Sequence, residues 1–524
     1  MKNNKLVFAV AVLGIVSACS QDTSEEAPAA AEPAGEIRAT TTAPDATSQA
    51  GEADTFTPSP RALEGTVETR IGTLEFVNGY PTDETIDKLY NEMDFQRAVQ
   101  AYLWGLPMVE MAEWAHAHHT IFGAGQYDFT TYLDFVEKQG ILTANATTPY
   151  MMAFPNLKET GPLVFEIPAG PTAGGLLDFW QRPFADLGQT GPDQGKGAKY
   201  LILGPGHDAL DPEGYIVVRS PHWNLFLGHR VLAPDPAEAR ALLEAHKLYP
   251  YSDRDNPPET RYISAAGKDW EAHQPRGLTY FERLAGVLEI EPVEQRDLMI
   301  MAMLRPLGIM PGVSFEPDEM QAEILTEAAL VGEAMARANS YQKRFEGARL
   351  WDGKRWEISL FLAETSQDLE THTQLDERAS WFYEAIGVSK GMMGKTVGAG
   401  QVYLEAQKDS DDNWLDGGKN YKLTIPANVP MKQFWSITVY DNDTRCFVRT
   451  GQLPDKSSRM DLTYNDDGSV DLYFGPKPPV DEATRSNWIK TVPEQGWFTY
   501  FRLYAPTEGY FDRSWQLNDI EQLD

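Results

Sequence analysis

Between Thr143 and Arg230 short aromatic and β-branched runs are cut repeatedly by Gly and Pro. Such punctuation leaves no room for long helices and reads as antiparallel sheet. Leu163 to Ile167, Leu176 to Trp180, Tyr200 to Leu203 and Tyr215 to Arg219 are the predicted strands, the last two paired across the turn-rich segment from Gly204 to Gly214. The same stretch carries Tyr150, Asp178, Trp180, Arg182, Asp186, His207, Arg219, His222 and Arg230. A sheet with that many polar groups can wall a binding cleft.

Sheet returns from Gln401 onward. Asn420 to Ile425, Phe434 to Tyr440, Ser469 to Phe474 and Phe498 to Tyr504 are predicted strands, and Asn465 to Gly468 reads as a hairpin turn. In the last strand Phe498, Tyr500, Arg502 and Tyr504 alternate with Thr499, Phe501 and Leu503, so one face can be dry and the other polar. The sequence between is helical in pattern: Ala237 to Leu248, Tyr280 to Leu288, Pro292 to Leu304 and, most clearly, Pro317 to about Ala338, with Met320, Ile324, Ala328, Val331, Met335 and Ala338 on the face expected to be buried. Two further amphipathic helices, interrupted by Pro107, are predicted between Glu64 and His119. The expected fold is mainly β with α insertions, two sandwich or jelly-roll-like domains joined by a helical segment. Its expected divisions are a helical lead-in plus first β-rich domain over residues 61–235, a helical linker over 236–394 and a second β-rich domain over 395–524.

The N-terminus points to export. Lys2 and Lys5 precede an apolar run from Leu6 to Val16, too short to span a bilayer, which ends in Val16, Ser17, Ala18 and Cys19. These four residues resemble a bacterial lipobox, which implies cleavage after residue 18, acylation of Cys19 and, with Ser20 following, an outer-membrane destination on the periplasmic or surface face of a Gram-negative cell. Residues 19–60 are rich in Ala, Glu, Pro, Thr and Ser and read as a disordered tether, with a reach of roughly 35 Å. The formal charge is −32, and loss of residues 1–18 with their two lysines leaves −34. No Lys/Arg run is present, which argues against nucleic acid as a partner. Cys19 and Cys446 are the only cysteines, so an acylated Cys19 leaves no intramolecular disulfide, and Cys446 is expected to be a buried, inert thiol.

The chemistry is less constrained. The sequence has no Gly-x-Ser-x-Gly, no His-Glu-x-x-His, no P-loop and no dinucleotide fingerprint after a strand, so no cofactor is expected. Glu113, His116, His118 and His119 sit at helical spacing, yet no further ligand set accompanies them, and an exposed polar helix end is the plainer reading. The loop Asp409 to Asn413 resembles the start of a calcium loop but has Trp414 where a glycine is needed, so no metal is assigned. What remains is Trp180, Arg182, Arg219 and His222, an aromatic-cation group able to hold an anionic or sugar-like ligand. The same residues could equally seal a domain interface.

Two ordered sets of residues carry a resemblance. Thr143, Asn145, Thr147 and Tyr150, then Leu177-Asp178, then Tyr200 to Gly206, Val218 to Pro221 and Gly228 to Arg230 resemble the family of domains of unknown function DUF1254. An Asn-Asp-Thr core is commoner there; here Ala146 replaces the aspartate. Leu423 to Ala427, Phe434 to Ser436, Tyr440-Asp441, Asn487-Trp488, Arg502 to Pro506 and Trp515 resemble the companion family DUF1214. The resemblance implies a tandem, β-rich protein with jelly-roll-like sheets and brings no reaction with it. Ile167-Pro-Ala169 leading to Asp178 is echoed by Ile425-Pro-Ala427 leading to Asp441, which reads as a trace of duplication. Three functions stay open: binding of a small organic or sugar-like ligand in a sheet cleft, hydrolysis by Asp178 or Asp186 with His222, and a structural or assembly role in the cell envelope.

Overall fold

The computed structural model describes residues 63–523. The expected signal segment, Cys19 and the expected tether lie outside the described residues.

Strand periodicity places the layers. In Tyr150–Ala153 the side chains of Met151 and Ala153 enter one core while Tyr150 and Met152 enter another. That strand belongs to a six-stranded sheet, ordered Tyr262–Ser264, Phe129–Tyr132, Tyr150–Ala153, Leu225–Val231, Thr172–Asp178, Pro183–Gly188. One face packs on a four-stranded sheet built from Ile216–Arg219, Ala198–Leu203, Leu163–Ile167 and Lys247–Pro250, through Leu163, Phe165, Leu176, Ile202, Leu225 and Leu227. The second half repeats the plan. A five-stranded sheet centred on Trp497–Tyr504 packs through Phe501, Leu503, Leu404 and Ile437 on a four-stranded sheet centred on Val470–Gly475 and Asn420–Ile425. None of these sheets closes into a barrel.

The sequence echo falls on equivalent places in the two halves. The strands that precede the two Ile-Pro-Ala steps, Leu163–Ile167 and Asn420–Ile425, are in the smaller sheets. Those ending at Asp178 and Asp441 are in the larger sheets. The sheets are mixed, however, and not wholly antiparallel. Ile216–Arg219 runs parallel to Ala198–Leu203, because the segment from Gly204 to Gly214 crosses back instead of turning tightly. The first β region also continues to Ser264, since Lys247–Pro250 and Tyr262–Ser264 join its sheets. Accordingly, the helix after Pro234 is shorter than its pattern suggests and spans Pro236–Leu243.

Between the halves lies a layer of helices around Asp83–His116, one helix of 34 residues in place of the two expected. Pro107 sits inside it, where a proline removes a donor and loosens a turn. That turn is held from outside: the carbonyls of Tyr102, Trp104 and Pro107 accept hydrogen bonds from Tyr280 Oη (2.6 Å), Arg378 Nη2 (2.9 Å) and Gln181 Nε2 (3.1 Å). Residues 98–111 are apolar on every side apart from Gln100, Gly105 and Glu110, and almost all are buried, so packing outweighs the cost of the proline. Helix Glu319–Tyr341 packs along this central helix. It begins after a capping box made by Asp318 and Gln321, one residue beyond Pro317. Its buried face is Leu325, Ala328, Ala329, Gly332, Ala336 and Ser340, whereas Met320 and Met335, expected inside, are exposed. The reason is close approach: a Cβ on Gly332 would lie 2.5 Å from Cγ of Tyr102, so only a stripe of small residues fits.

Candidate functional site

The residues expected to form a site gather only in part. Strand Thr172–Asp178 ends at Asp178, and the chain turns at once, with Gln181 in the left-handed region (φ 58°) and Asp178 Oδ1 accepting from Arg182 N at 2.9 Å. Trp180 and Arg182 are therefore turn residues and do not share a strand face. Trp180 is buried and stacks on His222, with ring centres 4.1 Å apart and planes 14° from parallel. His222 Nδ1 lies 2.9 Å from Asp178 Oδ2, and its Nε2 is 3.4 Å from Glu294 Oε1. Ser220 fixes the His222 backbone by accepting from its N–H and donating to its carbonyl.

Arg182 turns outward from this stack and forms a two-pronged pair with Asp368, at 2.8 and 3.3 Å. Arg219 stands apart, exposed on the smaller sheet near His207. Asp186 lies on the next strand, beside Lys390 and not His222. The sheet stretch thus yields a buried Asp178–His222–Trp180 group and one arginine at its edge, and not a single four-residue wall.

That edge opens on a cleft of about 350 Å³. Its polar side consists of Arg182, Arg296, Asp297, Arg378, Gln100 and Thr373; its apolar side is Trp104, Met299, Ile300, Met303 and Leu375. Arg378 comes from helix Leu375–Glu384, is 1 % exposed and donates to the Trp104 carbonyl, while its Nε has no partner. Burial, with Arg182 as the next contributor, holds the Arg378 guanidinium down to about 9. Arg182 is lowered in the same way, by burial and then by Arg296, and its Nε is likewise unpartnered. Burial raises Asp297, whose Oδ2 has no hydrogen-bond partner. Both guanidinium groups are thus held below their usual range chiefly by burial, against the opposing pull of Asp368.

Sequence reasoning took the residues supplying most of this cleft for scaffold. Arg296, Asp297, Met299, Ile300 and Met303 lie in the run ending at helix Leu298–Leu304. The available signal was the density of methionine in that run, three in seven residues, with Met299 69 % exposed. Nothing in sequence marked Arg378, because burial of one arginine on an amphipathic helix has no local signature.

The other candidates are accounted for by local bonds. Glu113 pairs with Arg283 at 2.7 Å, His119 contacts the carbonyls of Ala124 and Phe154, and His118 lies in a π-helical segment, Ala117–Ile121, where helical spacing fails. No group of three His, Cys, Asp or Glu side chains suited to a metal ion occurs among the described residues. Asp409 is buried and accepts from the backbone N–H groups of Asp411 and Asn413, which closes its loop without an ion. Cys446 is buried, and burial pushes its thiol up to about 12. No helix among the described residues is long and apolar enough to cross a membrane.

Comparison with known proteins supports the architecture. The solved VPA0106 protein of Vibrio parahaemolyticus is similar over 82 % of this chain and 100 % of its own, with a TM-score of 0.50 and 17 % identity, which shows the fold alone. An uncharacterized protein from Burkholderia cenocepacia, at 12 % identity and a TM-score of 0.38, covers 84 % of this chain and 90 % of its own. No curated protein matches. Residues 128–250 match the family described as protein of unknown function DUF1254, and residues 400–508 the one described as protein of unknown function DUF1214. The chain therefore carries a DUF1254 region and a DUF1214 region in tandem, one in each sandwich.

Proposed function

We propose that this protein binds a small amphipathic organic anion, a carboxylate with a short apolar tail, while anchored to the outer membrane through acylated Cys19. The observation that carries the binding reading is Arg378, a buried cation with an unpartnered Nε, opposite a wall of methionines. Methionine side chains are flexible and polarizable and suit a tail of variable shape. Helices and a sheet turn, and not a sheet face, form this cleft, and its arginine fork favours a carboxylate over a sugar.

Octanoate is the probe. It should raise the melting temperature of the full chain progressively, with the logarithm of its free concentration above Kd, while butyrate, with little tail, and octylamine, with the opposite charge, should not. Arg378→Gln should abolish the shift, and Met303→Glu, placed on the apolar wall, should abolish it without removing a buried cation. Equal shifts with octylamine would sink the reading. For the anchor, wild-type protein should fractionate with membranes and Cys19→Ser should be soluble.

A second reading, hydrolysis, is favoured by the 2.9 Å contact between Asp178 and His222. Both side chains are buried, and no hydroxyl or thiol bonds to His222 Nε2. An ester and glycoside screen in which turnover disappears with His222→Ala and Asp178→Asn would favour this reading over binding alone.

A further inference from the structure

A second group of cations lies where the two halves meet. Lys138, Arg230 and Arg502 come from a turn of the first half, strand Leu225–Val231 and strand Trp497–Tyr504. Among the described residues none of them forms an ion pair, and burial, with Arg230 as the next contributor, lowers the Lys138 ammonium to about 7. The Lys138 ammonium donates to the carbonyls of Asn145 and Thr148, at 3.2 and 2.7 Å. Arg502 donates to Thr438 Oγ1 at 2.9 Å and to the Thr143 carbonyl at 2.8 Å. Arg230 has no hydrogen-bond acceptor among the described residues. Its guanidinium lies 5.3 Å from the centre of the Tyr150 ring, and Lys138 lies 4.9 Å from the same ring.

The adjacent carboxylate does not neutralise them. Asp455 accepts from Thr438 Oγ1 at 2.6 Å, and its other oxygen is buried without a partner. Burying unpaired cations is costly, and this chain has carboxylates in excess, 77 Asp and Glu against 45 Lys and Arg. An acidic protein that gathers these cations with no directly bonded carboxylate, and with Asp455 acting on them from nearby, favours an anion from outside.

The surroundings fit a ligand site. Tyr403 lies beside Arg230 and Arg502, and Tyr504, bonded to Asn145, stacks on Phe434 with ring centres 4.0 Å apart. Arg230 and Tyr504 are only partly covered, and the neighbouring loop reaches solvent at Thr147. Thr143, a β-branched residue, is held at φ 37°, its carbonyl bonded to Arg502 and its N–H to the Arg445 carbonyl at 2.9 Å. Backbone of this kind persists only where surrounding contacts enforce it, and it concentrates at functional sites.

We infer that this seam is a second binding site, for a small organic anion bearing a carboxylate or phosphate group, with Arg230 as its principal cation and Tyr403 and Tyr504 beside it. The site requires both sheet regions, since Arg230 and Tyr150 belong to one and Arg502, Tyr403 and Tyr504 to the other.

The test is calorimetric titration of the full chain with succinate and, separately, inorganic phosphate at low ionic strength. Wild-type protein should bind at least one of them. Arg230→Gln should weaken that binding at least tenfold, the loss expected when a charge-assisted bond is removed. Tyr403→Phe, which retains the ring and all buried cations, should weaken it a few-fold, so a folding defect in the arginine variant would not leave the question open. Arg378→Gln, in the methionine-walled cleft, should leave succinate and phosphate affinity unchanged, and Arg230→Gln should leave octanoate stabilisation unchanged. Undiminished binding in both Arg230→Gln and Tyr403→Phe, or no binding of either anion by wild type, would overturn the proposal, whatever the outcome with octanoate.

Discussion

The cleft and the seam use arginine in opposite ways. In the cleft Arg182 is forked onto Asp368 and Arg296 is paired with Glu294, so most positive charge is already matched and Arg378 is the cation left short. In the seam Lys138, Arg230 and Arg502 rely on carbonyls, a hydroxyl and aromatic faces, with no carboxylate bonded to any of them. The difference teaches that local pairing, and not the net charge of −32, decides where an anion can be held. A matched arginine needs little from a ligand; an unmatched one needs a great deal.

The largest effect that would test this contrast is expected at Arg502. Its two hydrogen bonds tie the second half to Thr143 of the first and to Thr438. Arg502→Met should cost on the order of 3 kcal/mol or more in urea denaturation, because each hydrogen bond to a charged group contributes roughly 1.5–3 kcal/mol. A neutral result would mean that repulsion among the three cations offsets those bonds, and the seam would then be more strained than its contacts suggest.

A smaller effect concerns pH. Burial raises the Asp455 carboxyl to about 7. A raised acid keeps its proton in the folded protein where the unfolded chain has lost it, so its contribution to stability is fully present below about pH 4 and is lost as pH rises through 7. Asp455→Asn cannot ionise. Its stability relative to wild type should therefore increase between pH 5 and 8, by on the order of 1–3 kcal/mol, read from denaturant midpoints. A constant difference across that range would place a counter-charge on Asp455 and weaken the contrast with the cleft.

The smallest effect on stability belongs to Asp368→Asn. Its pair with Arg182 is partly exposed, so the loss should be at most about 1 kcal/mol. Octanoate affinity should rise several-fold, because the variant frees a guanidinium for the ligand. Lower affinity would show that Asp368 positions Arg182 and does not compete for it.

How much of this was legible beforehand depended on the range of the interaction. The alternation in Phe498 to Tyr504 foretold one dry and one polar face, but both are buried: Phe501 and Leu503 enter the sandwich core while Phe498 and Tyr500 join the core that the helices share. In helix Glu319–Tyr341 the same reasoning chose the wrong stripe. It ranked residues by hydrophobicity, whereas the packing distance to Tyr102 selected them by size. Pro107 likewise looked like a break because the side chains that support its turn, Arg378, Gln181 and Tyr280, are distant in sequence. Trp180 and Arg182 were grouped with Arg219 and His222 because nothing in the local pattern required the turn at Gln181.

By itself the sequence determined what nearest neighbours and periodicity govern: sheet at both ends of the body, helices between them, and an Ile-Pro-Ala step that recurs at Ile167 and Ile425. Only the tertiary structure decided which cations are paired. Asp368 reaches Arg182 across 186 residues, and Arg502 reaches Thr143 across 359. Whether a buried charge finds a partner depends on which surfaces the fold brings together, and no local pattern along the chain records that.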